Sequence, residues 1–258
     1  MKGHMATSRT TTTYMTNGKG PPRQLSERQA EPDERQQREE RILDAATRLL
    51  MRWGYRKTTI DDVAREAGVG KGTIYLHWKD KNQLFSAAIW RESQKTTEDM
   101  KQRLAADPDG GLFHRVWTHG MLAIFSNPLM AALMKGDADI LQGLMSAFDQ
   151  KTLNQLFGNA EEYITQLQQA GLIRTDLPVS VITFLIGSLK LGIIHAADVA
   201  GQQHTPSTEE LTEAISDLMR RWLEPEHPPS DSTVGKRIMN EWLDKTNAIG
   251  TTTVRGGQ

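Results

Sequence analysis

The chain has 258 residues, a charged fraction of 24% and a mean hydropathy of −0.52, which is an ordinary composition for a soluble globular protein. It contains no cysteine, and this excludes disulfide bridges, thiol nucleophiles, iron–sulfur clusters and cysteine-built zinc sites. No apolar run approaches the roughly 18 residues that a membrane helix needs, and no secretory signal opens the chain. We therefore expect a cytoplasmic protein with no membrane partner.

The net charge of −1 hides an uneven distribution. Residues 1–92 carry a formal charge of +5, whereas residues 93–258 carry −6. Such an asymmetry indicates a basic part that faces a polyanion and an acidic part that does not.

The first segment, residues 1–34, is predicted to be a disordered basic arm. Residues 1–26 are mostly small and polar, with four Lys or Arg residues and no acidic side chain. This composition buries too little apolar surface to offset the entropy lost on ordering. Two roles stay open for the arm: a passive leader, or a segment that follows phosphates or enters a minor groove.

Residues 35–82 are predicted to form three helices separated by glycine turns. The first helix has a single apolar stripe and ends at Gly54. Its stripe contains Ile42, Ala45, Ala46, Leu49, Leu50 and Trp53. The second helix is capped by Thr58 and Thr59 and ends at Gly68. Its inner face contains Ile60, Val63, Ala64 and Ala67.

The third helix, predicted over residues 71–77, completes a helix-turn-helix arrangement. Its spacing places Val69, Ile74 and Trp78 inward and leaves Lys71, Thr73, Tyr75 and His77 outside. A helix fits the major groove of B-DNA, where base edges carry a distinguishable hydrogen-bonding code. Lys71 suits guanine edges or phosphate, Thr73 suits a hydrogen bond or a thymine methyl, and Gly72 allows close approach of the backbone.

Residues 59–85 resemble the DNA-binding domain of the tetracycline repressor (TetR) family, and the resemblance extends over about residues 38–90. It implies phosphate contacts from Thr59, Tyr75, His77 and Lys81, and a DNA-facing position for Leu76. Two positions depart from the family pattern. Gly70 stands at a DNA-facing position where the family usually has Ser, which removes one hydroxyl, and Trp78 stands where it usually has Phe.

The rest of the chain is predicted to be helical, so the expected fold class is all-α. Residues 83–226 are assigned to a second domain for ligand binding and dimerisation. Its predicted helices cover residues 82–106, 112–125, 129–141, 143–170, 179–199 and 208–222, with a possible interruption near Gly158. Pro225, Pro228 and Pro229 are expected to close the globular part. Residues 227–258 are then a tail with one possible helix over residues 232–247.

Two helices, about 179–199 and 208–223, are expected to pair two chains. The first is apolar on more than one face and carries small residues that allow close helix approach. The resemblance implies a symmetric four-helix interface of two chains here. The competing interpretation is a central helix buried within one chain, and both can hold in part.

The middle helices are rich in methionine and aromatic residues, which suit an apolar pocket that adapts to its ligand. The predicted pocket residues are Trp117, Met121, Phe125, Met134, Met145, Phe148 and His195. Further bulky candidates are Met130, Phe157 and Tyr163, and His119, His195 or Gln142 are candidate polar anchors. Ordinary core packing is the alternative for each of them. His114 and His119 are five residues apart, which is a poor spacing for a metal pair, so no metal or cofactor is expected.

These features together predict a homodimeric regulator, most simply a repressor, that binds palindromic operator DNA and is released by an apolar or aromatic inducer. The alternative is an architectural helix-turn-helix protein without a small-molecule inducer. An enzyme is not expected, because the sequence has no phosphate-cradling glycine loop and no supported catalytic set.

Overall fold

The computed structural model describes residues 24–134, 150–200, 203, 205–229 and 231–255. The secondary-structure elements assigned among these residues are all helices. The chain divides into two compact units, Met1–Arg38 and Glu39–Gln258. In the first unit the structure describes the helical backbone from Gln24 onward. The predicted arm therefore falls mostly outside the described residues, and the first helix begins at Gln24, within the range predicted for the arm.

Ten helices follow one another along the described residues. The first five are α1 (Gln24–Lys57), α2 (Ile60–Ala67), α3 (Lys71–Tyr75), α4 (Lys81–Ala106) and α5 (Phe113–Ser126). The others are α6 (Pro128–Met134), α7 (Gln150–Gln169), α8 (Val179–Ala200), α9 (Thr208–Leu223) and α10 (Thr233–Arg255). None of these described helices combines the length and the apolarity that crossing a membrane requires.

The first hydrophobic core joins α1–α3 to the start of α4. Most of the inward residues predicted for the second and third helices are buried in it, whereas Ala67 and Val69 only pack against it. The start of α4 adds Leu84, Phe85, Ala88 and Ile89. Leu129 and Leu133 of α6 also belong to it, and Met130 packs against it. Met130 is therefore placed beside the helix-turn-helix core and away from the predicted pocket.

The second hydrophobic core lies among α4, α5, α7, α8, α9 and α10. Its buried members include Trp117 and Met121 of α5, Tyr163 of α7 and Ile182 of α8. Helix α9 packs along α5, and α7 packs along α8. Because Met100 and Leu104 of α4 are also buried in this core, one continuous helix contributes to both cores.

Helix α10 corrects the expected tail. It continues to Arg255 instead of fraying near residue 247, and Ile238, Met239 and Leu243 are buried in the second core. Its first turn crosses the loop after α4 so closely that a Cβ on Gly235 would overlap the carbonyl group of Gly111. The three prolines after α9 therefore mark a turn between two packed helices, and the globular part continues beyond them.

Three local expectations also change. The helix α1 kinks at Gly54, which has φ 77 and ψ 171, and it resumes through Lys57 where an end was predicted. Trp53 is 40% exposed instead of lying in the apolar stripe, and the Arg52 guanidinium lies 5.6 Å from its ring centroid. Helix α7 runs through Gly158 without interruption.

Candidate functional site

Local hydrogen bonds fix α2 at both ends. The Thr59 hydroxyl accepts from the backbone N–H of Asp62 at 3.2 Å, and the Asp62 carboxylate accepts from the backbone N–H of Thr59 at 3.0 Å. This reciprocal capping box satisfies two groups that a helix start leaves unpaired. At the other end Gly68 adopts the left-handed conformation, with φ 67 and ψ 35. The turn that orients α3 is therefore set by residues that the sequence identifies.

The inner side of α3 is anchored in the first core while its outer side is open. Ile74 is fully buried and Trp78 is 7% exposed. Tyr75 is 48% exposed and Leu76 is 80% exposed, although both carry large apolar surfaces. Gly70, Lys71 and Gly72 are exposed, Thr73 is half-buried, and a Cβ added to Gly72 would meet no atom within 4 Å. This short helix presents a face that nothing in its own described chain covers.

Lys71 has a carboxylate partner that sequence reasoning missed. Its Nζ donates to Asp61 Oδ2 at 2.9 Å, and this hydrogen bond raises the pKa of Lys71. Both side chains are at least half exposed, so the ion pair is weak and a phosphate or a base edge can compete for the amine. The acidic first turn of α2 was recognised from the sequence, but contact across the turn depends on the angle between α2 and α3.

Two predicted DNA-contacting side chains point elsewhere. The imidazole of His77 is only 8% exposed, because it packs against the Trp78 indole and lies 3.7 Å from Glu39 Oε2. The expectation that His77 faces outward is therefore wrong. Lys81 donates to the carbonyl of Arg56 at 3.3 Å, and its amine lies 4.3 Å from the Tyr55 ring centroid. Burial lowers the pKa of Lys81. Its contacts with the carbonyl and the ring make the amine less available to phosphate than expected.

A polar network, which no sequence pattern indicates, connects the helix-turn-helix core to the α5–α6 corner. On α4, the Arg91 guanidinium pairs with Glu40 at 2.9 Å and Asp44 at 2.8 Å of α1, and with Glu92 at 3.0 Å. Glu92 is 8% exposed and accepts from Asn127 Nδ2 at 3.0 Å. Burial raises the pKa of Glu92, but hydrogen bonds from Lys95 and Asn127 outweigh this effect and lower it.

The predicted pocket residues are only partly described. Trp117 and Met121 are buried in the second core, and Phe125 packs against it. Tyr163 is buried there as well. Met145, Phe148 and Gln142 lie outside the described residues, and so do the side chains of Met134, Phe157 and His195, whose backbones belong to α6, α7 and α8.

The histidines considered as polar anchors or metal ligands have carboxylate partners. His119 Nε2 lies 2.7 Å from Asp107 Oδ2, and His114 Nδ1 lies 2.9 Å from Glu224 Oε1. Because the Nε2 atom of His119 is already hydrogen-bonded to Asp107 on the α4–α5 loop, this atom is less available to a ligand. Across the described ranges, no three His, Asp or Glu side chains are grouped to hold a metal ion.

Residues of the helix-turn-helix match a known protein family, and longer stretches of the chain match known regulators. Residues 42–88 match the model of the bacterial regulatory proteins of the tetR family. YhgD of Bacillus subtilis, an HTH-type transcriptional regulator, is 27% identical over 193 residues, which cover 70% of this chain and 93% of that protein. A probable acrEF/envCD operon repressor of Escherichia coli is 25% identical over 167 residues, covering 59% of this chain and 72% of that protein.

The fold also matches a solved regulator. NalD of Pseudomonas aeruginosa, described as the secondary repressor of the MexAB-OprM multidrug efflux pump, superimposes with a TM-score of 0.54. The match covers 75% of this chain and all of that one at 17% sequence identity, so it bears on fold alone. The helix-turn-helix of residues 42–88 therefore matches the DNA-binding domain of the tetR family, and the relatives matched over more of the chain are transcriptional regulators.

Proposed function

We propose that the chain is a homodimeric repressor that binds palindromic operator DNA and releases it when an apolar or aromatic small molecule binds. The observation that carries this proposal is the uncovered outer face of α3. A helix whose buried side is locked into a core, and whose outer side carries Lys71, Tyr75 and an 80% exposed Leu76, is suited to a major groove.

The residues of this face have distinct proposed roles. Lys71 and Thr73 read base edges, and Leu76 offers apolar contact to thymine methyl groups. Thr59 and Tyr75 contact phosphates and fix the register, while Gly70 and Gly72 let the backbone lie close to the DNA. His77 and Lys81 make a smaller contribution, because their side chains are engaged within the chain.

Pairing of two chains is proposed through α8 and α9. Both helices expose large apolar side chains: Phe184 is 73% exposed, Leu185 43%, Val181 42% and Leu218 47%. Such surface is costly to leave in water and favours burial against a second copy. A symmetric pair would present two α3 helices to half-sites about 34–36 Å apart, as operator reading by such motifs requires.

Ligand release is proposed to act through α4 and the α5–α6 corner. Both elements contribute to the two cores, and Asn127 ties them together through Glu92. A ligand shifts an equilibrium only by binding one state better than the other. A ligand that parts the helices of the second core would tilt α4 and change the spacing of the paired α3 helices, so ligand and operator would oppose each other.

The proposed domain organisation follows from the same observations. Residues 35–82 form the DNA-binding domain, and residues 83–226 with α10 form the ligand-binding and dimerisation domain. A repressor of this kind acts where the DNA is, which for a bacterial regulator is the cytoplasm.

Selection of bound sequences from random duplex DNA tests the proposal. We expect an inverted repeat with half-site centres about one helical turn apart. In a parallel selection with Lys71→Ala, one position in each half-site should lose its preference, and affinity for the wild-type site should fall about tenfold to hundredfold. Failure to enrich any repeat would contradict dimeric operator binding, and a uniform loss over all sequences would make Lys71 a phosphate contact.

A further inference from the structure

A lysine amine lies against an indole ring of the second core. Lys190 of α8 places its Nζ 5.5 Å from the ring centroid of Trp117 on α5. Trp117 is only 7% exposed, so the amine approaches a ring that is otherwise enclosed. Attraction between an ammonium group and the face of an indole holds the cation at this place.

Lys190 combines solvent access with a desolvated amine. The residue is exposed, yet burial lowers the pKa of its amine. Among the described residues, the Trp117 indole is the contact found for the Lys190 amine, and desolvation is the cause of its lowered pKa.

Three aromatic side chains in the second core, or packed against it, are hydrogen-bond donors without acceptors. The Trp117 indole N–H, the Tyr163 hydroxyl and the Trp242 indole N–H are buried and have no partner among the described residues. The Tyr163 ring lies 5.5 Å from the Trp242 ring and 6.5 Å from the Phe113 ring, one helical turn before Trp117. Burial raises the pKa of Tyr163, so its hydroxyl remains protonated.

Such a set of groups selects one class of ligand. Indole N–H groups only donate, and an ammonium group has no acceptor, so the ligand must supply oxygen acceptors and negative charge. Buried donors without partners carry a free-energy cost that a ligand acceptor removes. We propose that Lys190 anchors the acidic group of an amphipathic organic anion, such as a carboxylate or sulfonate, whose apolar body lies among Trp117, Tyr163 and Trp242.

This inference rests on the proposed function and names the charge of its inducer. The three donors are closed to solvent in the present conformation, so the ligand body reaches them only if α5, α7 and α10 separate. An acid that binds the separated state supplies the acceptors that the closed state lacks. That difference in affinity is what a ligand needs in order to shift the chain between two states.

Two fluorescent probes with the same apolar skeleton test the proposal on the full chain without DNA. 1-Anilinonaphthalene-8-sulfonate carries one negative charge, and N-phenyl-1-naphthylamine is the same molecule without the sulfonate. We expect Lys190→Met to weaken binding of the sulfonate probe at least tenfold and to leave the neutral probe within about twofold. Lys190→Arg, which keeps the charge, should retain most of the sulfonate affinity.

The matched control is Lys151→Met, which removes the same charge from an exposed lysine of α7. It should bind both probes like the wild type. Equal losses for both probes in Lys190→Met, an unchanged sulfonate affinity, or no saturable binding of the sulfonate probe by the wild type would each overturn the proposal. Operator affinity of ligand-free Lys190→Met is measured separately, because failure there would bear on the proposed DNA-binding function and not on the anion site.

Discussion

At the scale of single residues, Asp107 is the most heavily used side chain at the far end of α4. Its carboxylate accepts from His119 Nε2 at 2.7 Å and from Arg115 Nε at 2.6 Å, both on α5. Its backbone carbonyl accepts from the Lys236 amine of α10. One residue of the α4–α5 loop thus joins three helices, and its charge is needed for two of those contacts.

The ionisation of Asp107 predicts a pH dependence of stability. Burial raises its pKa, but hydrogen bonds from His119 and Arg115 outweigh this and lower it to about 2. Because the folded pKa lies below the unfolded value of 3.8, the stabilisation is present above about pH 4 and is lost as the pH falls toward 2. Allowing for solvent screening, we expect about 1–2 kcal/mol.

The measurement is urea unfolding of wild type and Asp107→Asn between pH 7 and pH 3. The variant should be less stable at pH 7, and the difference should shrink as the pH falls below 4. Glu98, an exposed carboxylate of α4, provides the control variant Glu98→Gln. A difference between wild type and Asp107→Asn that stays constant over the whole pH range would contradict this role.

Residue-level prediction from the sequence succeeds where the cause is local. The Thr59 cap, the left-handed Gly68 and the burial of Ile74 follow from spacing and residue type, and the structure confirms them. The position of His77 on the helix predicts that it faces outward, and the family resemblance implies a phosphate contact from Lys81. Each is held by an aromatic ring and by a partner from α1, and no local pattern encodes those contacts.

At the scale of elements, Asn127 holds the α5–α6 corner in two ways. Its side-chain oxygen accepts from the backbone N–H groups of Leu129 at 3.0 Å and Met130 at 3.2 Å, which caps α6. Its Nδ2 donates to the buried Glu92 of α4 at 3.0 Å. The corner therefore depends on a side chain that both accepts at a helix start and donates to a carboxylate.

A substitution that removes the Nδ2 donor of Asn127 but keeps an oxygen to cap α6 tests the hydrogen bond to Glu92 of α4 separately. Asn127→Asp retains an oxygen for the cap but places a second carboxylate against Glu92. We expect a loss of about 1–3 kcal/mol at pH 7, in part relieved as the pH falls and one of the two carboxyls protonates. Asn127→Ser keeps a capping hydroxyl without the added charge. Its smaller loss should not depend on pH in the same range.

Thermal and urea unfolding of both variants across pH 4.5–7.5 provide the measurement. Equal stability of Asn127→Asp and wild type at pH 7 would show that the Glu92 contact does not hold the corner. The same variants also bear on coupling, because a loosened corner should change how much ligand alters operator affinity.

Prediction of elements from the sequence fails mainly at α10. The structure confirms the predicted helix start at residue 208, where Ser207 and Glu210 form a capping box at the start of α9. The three prolines after α9 predict that the globular part ends there. Instead the chain turns, and another helix packs on α4 and α7. That docking depends on backbone contact between Gly111 and Gly235, two residues 124 positions apart, and on the Trp90 indole N–H donating to Thr251 at 3.2 Å.

At the scale of the whole molecule, the proposed operator binding requires two chains to pair. Phe184 of α8 is 73% exposed, which is more than any other large apolar side chain described except Leu76. A charge at this position should leave the folded chain intact and oppose burial against a second copy. We therefore expect Phe184→Glu to shift the chain from dimer to monomer at micromolar concentration.

Sedimentation equilibrium of wild type and Phe184→Glu checks this expectation. Val234→Glu is the matched control, because Val234 is 39% exposed on α10, outside the proposed interface. The control should remain dimeric. If Phe184→Glu stays dimeric as well, the pairing surface does not include this part of α8.

The absence of cysteine from the natural chain makes one measurement especially direct. Leu76→Cys introduces a single thiol on the open face of α3, to which an iron–EDTA cleavage reagent can be attached. On the selected operator we predict two clusters of strand cleavage, one in each half-site and about one helical turn apart. The same reagent on Val234→Cys should cut neither half-site. Cleavage at only one place, or an equal pattern from both positions, would contradict the central claim that two α3 helices enter the groove together.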